Sequence, residues 1–131
     1  MSITVSRMLP ILLVGLGGVL GSSSRYGLAL LFDVGDLPVA TILVNWLGCF
    51  LLTYLTFNPR LKSKIPTHLL LLINTGFIGS FTTFSTFTVE SITLLTSKPL
   101  LGLIYFFLQL TGGFLCCLFG YSLAIRGDRA L

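Results

Sequence analysis

The sequence predicts an all-α membrane protein with four transmembrane helices, the third broken at its centre. Three observations point there. The 131 residues are 54% hydrophobic and only 9% charged, with a mean hydropathy of +0.99. A soluble domain carries about 25% charged residues and needs them to cover a water-facing surface. The apolar residues fall into four runs, roughly 8–32, 39–57, 67–95 and 100–125, each close to or beyond the ~20 residues that cross a hydrocarbon core. The third run, where plain hydrocarbon is expected, instead reads Gly-Phe-Ile-Gly-Ser-Phe-Thr-Thr-Phe-Ser-Thr-Phe from Gly76 to Phe87. Polar and free backbone groups at that depth are tolerated only where protein or a polar cavity satisfies them.

The four runs use nearly the whole chain, so residues 1–131 are read as a single transmembrane domain. A bundle this small cannot easily enclose a pathway alone, which points to oligomerisation. The net charge of +4 does not mark a nucleic-acid binder. The basic residues form no stripe with interleaved aromatics and instead flank the apolar runs, as loop charges of membrane proteins do. Cys49, Cys116 and Cys117 lie inside apolar runs without zinc-type spacing and read as small buried fillers.

The first run follows Arg7 as a signal peptide would, but it continues through Gly21–Arg25 into further apolar sequence and reads as a retained helix. Gly17, Gly18 and Gly21 give it a small-residue face for close helix approach, and Ser22–Arg25 make its second half polar. Asp33, Val34, Gly35, Asp36 and Pro38 form a turn. In the second run Thr41, Asn45 and Gly48 lie close to one helical face. Trp46 is too deep for an interfacial anchor and is expected to pack on a neighbour. The loop 58–66, with Arg60, Lys62 and Lys64, is the most basic part of the chain. His68 beyond it reads as an interfacial residue.

The third run is longer than a straight span requires, leaving room for a break. Its glycine-bearing part, through Thr82, is expected to break the helix, and Thr83–Phe87 to resume it. Pro99 suits the first turn of the last helix. There Tyr105, Gln109 and Gly112 form one polar stripe at i, i+4, i+7. An even number of spans puts both termini and the 58–66 loop on one side. Arg7, Arg60, Lys62, Lys64, Arg126 and Arg129 lie there, against Lys98, with Arg25 nearby, opposite. That bias favours cytoplasmic termini.

Asn45, the Gly76–Phe87 interval, and Tyr105 with Gln109 thus place three polar groups at membrane depth. Such groups act either as glue between helices or as a pathway. Glu90 is the only intramembrane acid, too few for a cation relay built on carboxylates. The available groups are hydrogen-bond donors: the Asn45 amide and the hydroxyls of Thr82, Thr83, Ser85, Thr86 and Tyr105, which suit an anion. Phe84 and Phe87 share a face at i, i+3, and an aromatic edge carries partial positive charge. Spacing alone favours the phenylalanines as core filling.

The motifs Gly17-Gly18 with Gly21, Arg25-Tyr26, Thr41-x-x-x-Asn45-x-x-Gly48 and Gly76-Phe77-x-Gly79-x-x-Thr82-Thr83-Phe84-Ser85-Thr86-Phe87 resemble those of the Fluc (CrcB) fluoride channels, in the right order across all four runs. The resemblance implies an antiparallel, dual-topology dimer in the cell membrane that passively exports fluoride and lowers its toxicity. It is not an enzyme. By the same resemblance Phe84 and Phe87 are pore phenylalanines and Asn45 an amide donor. Thr83, Ser85, Thr86 and Tyr105 add to the fluoride path, with Arg25 near a vestibule and Glu90 beside the pore. The Gly79 and Thr82 carbonyls would hold a structural sodium ion at the dimer centre.

Two departures stand out. The family pattern places a serine near Gln109 or Gly113, and this chain has none there. Dual topology also calls for balanced Lys and Arg, whereas this distribution is lopsided. A homodimer is expected first, and a heterodimer with an oppositely oriented homologue second. The rivals are a proton-coupled small multidrug-type exporter, which needs a glutamate on the first helix that this chain lacks, and a non-transporting membrane assembly subunit.

Overall fold

The computed structural model describes the backbone of residues 2–32 and 35–129, with side chains for 8–32 and 35–126. The turn residues Asp33 and Val34 and the side chains of Arg7 and Arg129 lie outside the described residues. All regular structure among the described residues is helical. Helix α1 covers Ser2–Phe32 and α2 covers Val39–Phe57. The basic connection is not a bare loop, because α3 occupies Pro59–Lys64. Pro59 opens that helix, where a missing N–H costs nothing, and the Asn58 side chain accepts a hydrogen bond from the Leu61 amide at 3.1 Å.

The third apolar run is composite. Helix α4 (Thr67–Leu70) passes into a π-helical stretch, Leu71–Ile78, and then into one turn of α-helix, α5 (Gly79–Phe81). Thr82 (φ −77°, ψ 159°) and Thr83 (φ −149°, ψ 125°) are extended, and α6 runs from Phe84 to Ser97. Pro99 starts α7, which continues to Arg129. The four apolar segments are long and apolar enough to cross a membrane, so the chain is a multi-pass membrane protein.

Segment three changes partners part-way along. Its first half, the π stretch and α5, lies along α1, while α6 lies on α7 and α2 packs along α7. The glycines explain the first contact. A Cβ on Gly17 would collide with the Leu72 carbonyl oxygen, one on Gly21 with that of Phe77, and one on Gly76 would stand 2.6 Å from that of Val14. Backbone approaches backbone here, as small residues permit in membranes.

This corrects one expectation. The glycines of the third run do not break the helix; Gly76 and Gly79 remain helical with negative φ. The extended backbone falls on the β-branched pair Thr82–Thr83, residue types that favour extended conformations. Trp46 packs its ring over Gly112, where a Cβ would collide with it. Ile42, Phe87, Leu94 and Tyr105 form the buried core between α2, α6 and α7. At one end of the bundle an ion pair joins Lys98 to Asp36, placing the α1–α2 and α6–α7 connections on the same side.

Candidate ion-conduction site

Many hydroxyls among the described residues satisfy themselves within their own helix. Ser22, Ser24, Thr53, Thr82, Thr88, Ser91, Thr93 and Thr111 each donate to the carbonyl four residues earlier, the usual local solution for a helical hydroxyl without water. Thr41, Thr83, Thr86 and Tyr105 depart from that habit. All four gather around the extended residues Thr82–Thr83.

Asn45 holds that interruption from α2. Its Oδ1 accepts from the Thr83 amide at 2.8 Å, and its Nδ2 donates to the Thr83 carbonyl at 3.0 Å. One side-chain amide thus replaces both backbone partners that a continuous helix would supply. One Nδ2 hydrogen remains beyond the one aimed at Thr83. The Thr83 hydroxyl caps α6 by accepting from the Thr86 amide at 3.1 Å. It also lies 2.9 Å from the Thr86 hydroxyl and 3.4 Å from that of Ser85. Arg25 reaches the same group from α1, its guanidinium donating to Thr86 Oγ1 at 3.4 Å.

A second string runs through Glu90. Thr41 donates to Oε1 at 3.0 Å, the Tyr105 hydroxyl donates to Oε2 at 2.6 Å, and Gln109 Nε2 donates to the Tyr105 oxygen at 3.2 Å. Tyr105 is fully buried. An intramembrane carboxylate is costly without such partners, and these hydroxyls supply them.

Two cavities flank Thr83. One, of about 240 Å³, is lined by Arg25, Thr41, Thr83, Thr86 and Glu90 among others. The other, an open groove of about 360 Å³, is lined by Asn45, Thr82, Thr83, Phe84, Phe87 and Gln109 together with apolar residues and two cysteines. Of the sequence-predicted residues, Asn45, Thr82, Thr83, Phe84 and Phe87 line the groove and Arg25, Thr83, Thr86 and Glu90 the smaller cavity, whereas Gly79, Ser85 and Tyr105 line neither. The Phe84 and Phe87 rings lie 5.8 Å apart, tilted by 60°. Phe87 is 4% exposed and packs on Tyr105 and Phe106, whereas Phe84 is 76% exposed. Ser85 is exposed beside Thr83, and Gly79 lies one turn before the extended pair.

Gly79 and Thr82 bear on cation binding. The Thr83 amide, which a continuous α-helix would donate to the Gly79 carbonyl, goes to Asn45 instead. That carbonyl is released from the helical ladder, and the Thr82 carbonyl sits in extended backbone. Carbonyl oxygens are hard ligands suited to a cation of the sodium or calcium type. Among the described residues no group of three or more His, Cys, Asp or Glu gathers to hold a metal ion.

Sequence reasoning passed over three features of the site. Cys49 and Cys117 were read as fillers but line the groove. Gln109 reads from the sequence as a polar group at membrane depth beside Tyr105, and the structure adds that it joins that groove to the Tyr105 hydroxyl. Thr41 was placed on the Asn45 face, but its partner Glu90 is distant in sequence, so no spacing could reveal the pair.

The chain matches the family model described as CrcB-like protein, Camphor Resistance (CrcB), over residues 12–121. It belongs to the CrcB family. Among curated relatives it is 42% identical over 121 residues to "Fluoride-specific ion channel FluC 1" of Bacillus cereus, covering 89% of this chain and 88% of the relative. It is 44% identical over 110 residues to "Fluoride-specific ion channel FluC 2" of Listeria innocua, covering 83% and 85%. A third, "Fluoride-specific ion channel FluC" of Thermosipho melanesiensis, is 36% identical over 116 residues, covering 86% and 93%. The family match spans all four transmembrane segments, from within α1 to within α7.

Proposed function

We infer that this protein is a passive, fluoride-selective channel of the cell membrane, with no enzymatic step, that exports cytoplasmic fluoride. Membership of the CrcB family, with relatives named as fluoride-specific channels, carries the reading. The donor-rich, acid-poor inventory around Thr83 supports it. Fluoride is small and strongly hydrated, so a selective path must replace its water with donors while leaving it free to depart. Asn45 would offer its remaining amide hydrogen, Phe84 and Phe87 their ring edges, and Thr83, Ser85 and Thr86 their hydroxyls, with Tyr105, whose proton goes to Glu90, bordering the fluoride path. Arg25 would draw the anion into the smaller cavity. Glu90, held by Thr41 and Tyr105, would orient the Tyr105 hydroxyl without offering the anion a trap.

The functional unit would be an antiparallel dimer, a homodimer first and a heterodimer second. One chain leaves the groove open and Phe84 exposed, and a second copy would close the path. The carbonyls of Gly79 and Thr82 would hold a central sodium ion together with those of the partner, since two oxygens from one chain fall short of the six or so that hard cations take. The bound cation would supply fixed positive charge that ties the two extended segments together. The termini would be cytoplasmic if the chain inserts one way.

The test is reconstitution of this chain alone into liposomes, read with a fluoride electrode. Rapid fluoride efflux with chloride retained is expected. Retention of fluoride would overturn the homodimeric channel, and efflux restored only by an oppositely oriented homologue would establish the heterodimer.

A further inference from the structure

Cys49 on α2 and Cys117 on α7 are distant in sequence and meet on one wall of the groove that carries Asn45, Phe84, Phe87 and Gln109. The Cys117 thiol donates to the Cys49 carbonyl oxygen at 3.7 Å, which brings the Cys117 sulfur onto the Cys49 turn of α2. Gly113 lies beside the pair, its Cβ position 3.6 Å from Cys49 Sγ, an ordinary contact distance. Both cysteines are free and half-buried. Cys116 is next in sequence but does not line the groove, because successive helical residues point about 100° apart.

We propose that Cys49 and Cys117 form a two-thiol site for a soft, two-coordinate monovalent cation of the silver or cuprous class, placed so that its occupation obstructs the groove. The ligand count sets the class. Zinc takes four ligands in structural sites and at least three protein ligands in catalytic ones, and the described residues hold no cluster of three. Soft sulfur ligands select soft cations, and two sulfurs suffice for a d¹⁰ ion that binds linearly. The balance is simple. One thiol loses its proton to water as a sulfur–metal bond forms, and the second donates a sulfur lone pair while keeping its proton. The site is then neutral, which an apolar wall favours over any charged alternative.

The metal would stand on the wall facing Phe84 and Phe87. The obstruction rests on the channel reading above, whereas the binding does not, and two measurements separate them. Silver ion is the probe, in chloride-free buffer. Native mass spectrometry of the purified protein should show one silver per chain in the wild type and in Cys116→Ser, and none in Cys49→Ser or Cys117→Ser. Silver retained by both of the latter variants, or lost in Cys116→Ser, would overturn the site. In liposomes silver should slow fluoride efflux at least tenfold for the wild type and Cys116→Ser, but not for Cys49→Ser. Silver bound without slowing would overturn the obstruction. Fluoride retained before any silver is added would overturn the channel reading and leave the mass spectrum to decide the binding.

Discussion

The two halves of the third transmembrane segment differ in composition, the first mostly apolar with glycine and the second rich in hydroxyls with Glu90, and they do opposite work. From Leu71 to Phe81 the backbone makes the contact, with Gly17, Gly21 and Gly76 bringing α1 against the π-helical turns. From Phe84 to Ser97 the side chains make it, with Phe87 packed on Tyr105 and Phe106 and Glu90 held by Thr41 and Tyr105. A π-helix is rare and concentrates at functional sites. Here it feeds directly into the extended pair that Asn45 clamps. The first half therefore resembles a fixed stator, whereas the second presents polar groups and rings to two cavities. The lesson is that a polar interval in an apolar helix can hold two different devices, divided by what supplies the contact.

Five substitutions break or sharpen that contrast. Gly21→Val should have the largest effect on the first half. Its side chain meets the Phe77 backbone, which cannot swing aside, so a loss of about 3 kcal/mol or more is expected, read as lowered thermal unfolding in detergent. Wild-type stability for this variant would mean that α1 and the π stretch do not need their close approach. Asn45→Leu should come next. It keeps the branched shape but strips both partners from the Thr83 backbone, and buried unsatisfied groups cost about 1–3 kcal/mol each. Fluoride efflux should be lost with the clamp, and efflux preserved at wild-type rate would show that the extended pair holds itself.

The phenylalanines separate packing from conduction. Phe87→Ile should cost about 1 kcal/mol in ring contacts, while Phe84→Ile, at an exposed position, should shift stability by less than about 0.5 kcal/mol. Both should cut fluoride efflux at least tenfold with the oligomer intact. Full efflux in both variants would remove the phenylalanines from the path. The smallest effect is expected at Thr93, an exposed α6 hydroxyl bonded only to its own helix at Val89. Thr93→Ala should leave efflux unchanged and stability within about 0.5 kcal/mol. A marked loss of efflux there would extend the working face of α6 around the helix.

Much of the bundle was legible because a bilayer demands long apolar runs, and composition displays them directly. The site was legible as a set of residues, since polar groups at membrane depth stand out against hydrocarbon. Their division of labour was not. Gly76 and Gly79 looked like the interruption, yet glycine in a membrane serves close approach as readily as a bend, and only the neighbouring α1 decides which. Asn45 looked like a donor to the anion alone, but half of its hydrogen-bonding capacity holds the Thr83 backbone. Phe84 and Phe87 looked equivalent at i, i+3, whereas the position of α7 buries one and leaves the other open.

By itself the sequence determined four spans, the polar interval in the third, and a site rich in donors and poor in acids, because hydrophobicity and residue chemistry are local properties. Only the tertiary structure decided that the interruption falls at Thr82–Thr83, that Asn45 clamps it, and that Thr41, Glu90, Tyr105 and Gln109 form one string. Those pairings join residues far apart in the chain. Which donor meets which acceptor is set by how the helices pack, and in a bilayer no water stands ready to take the place of a missing partner.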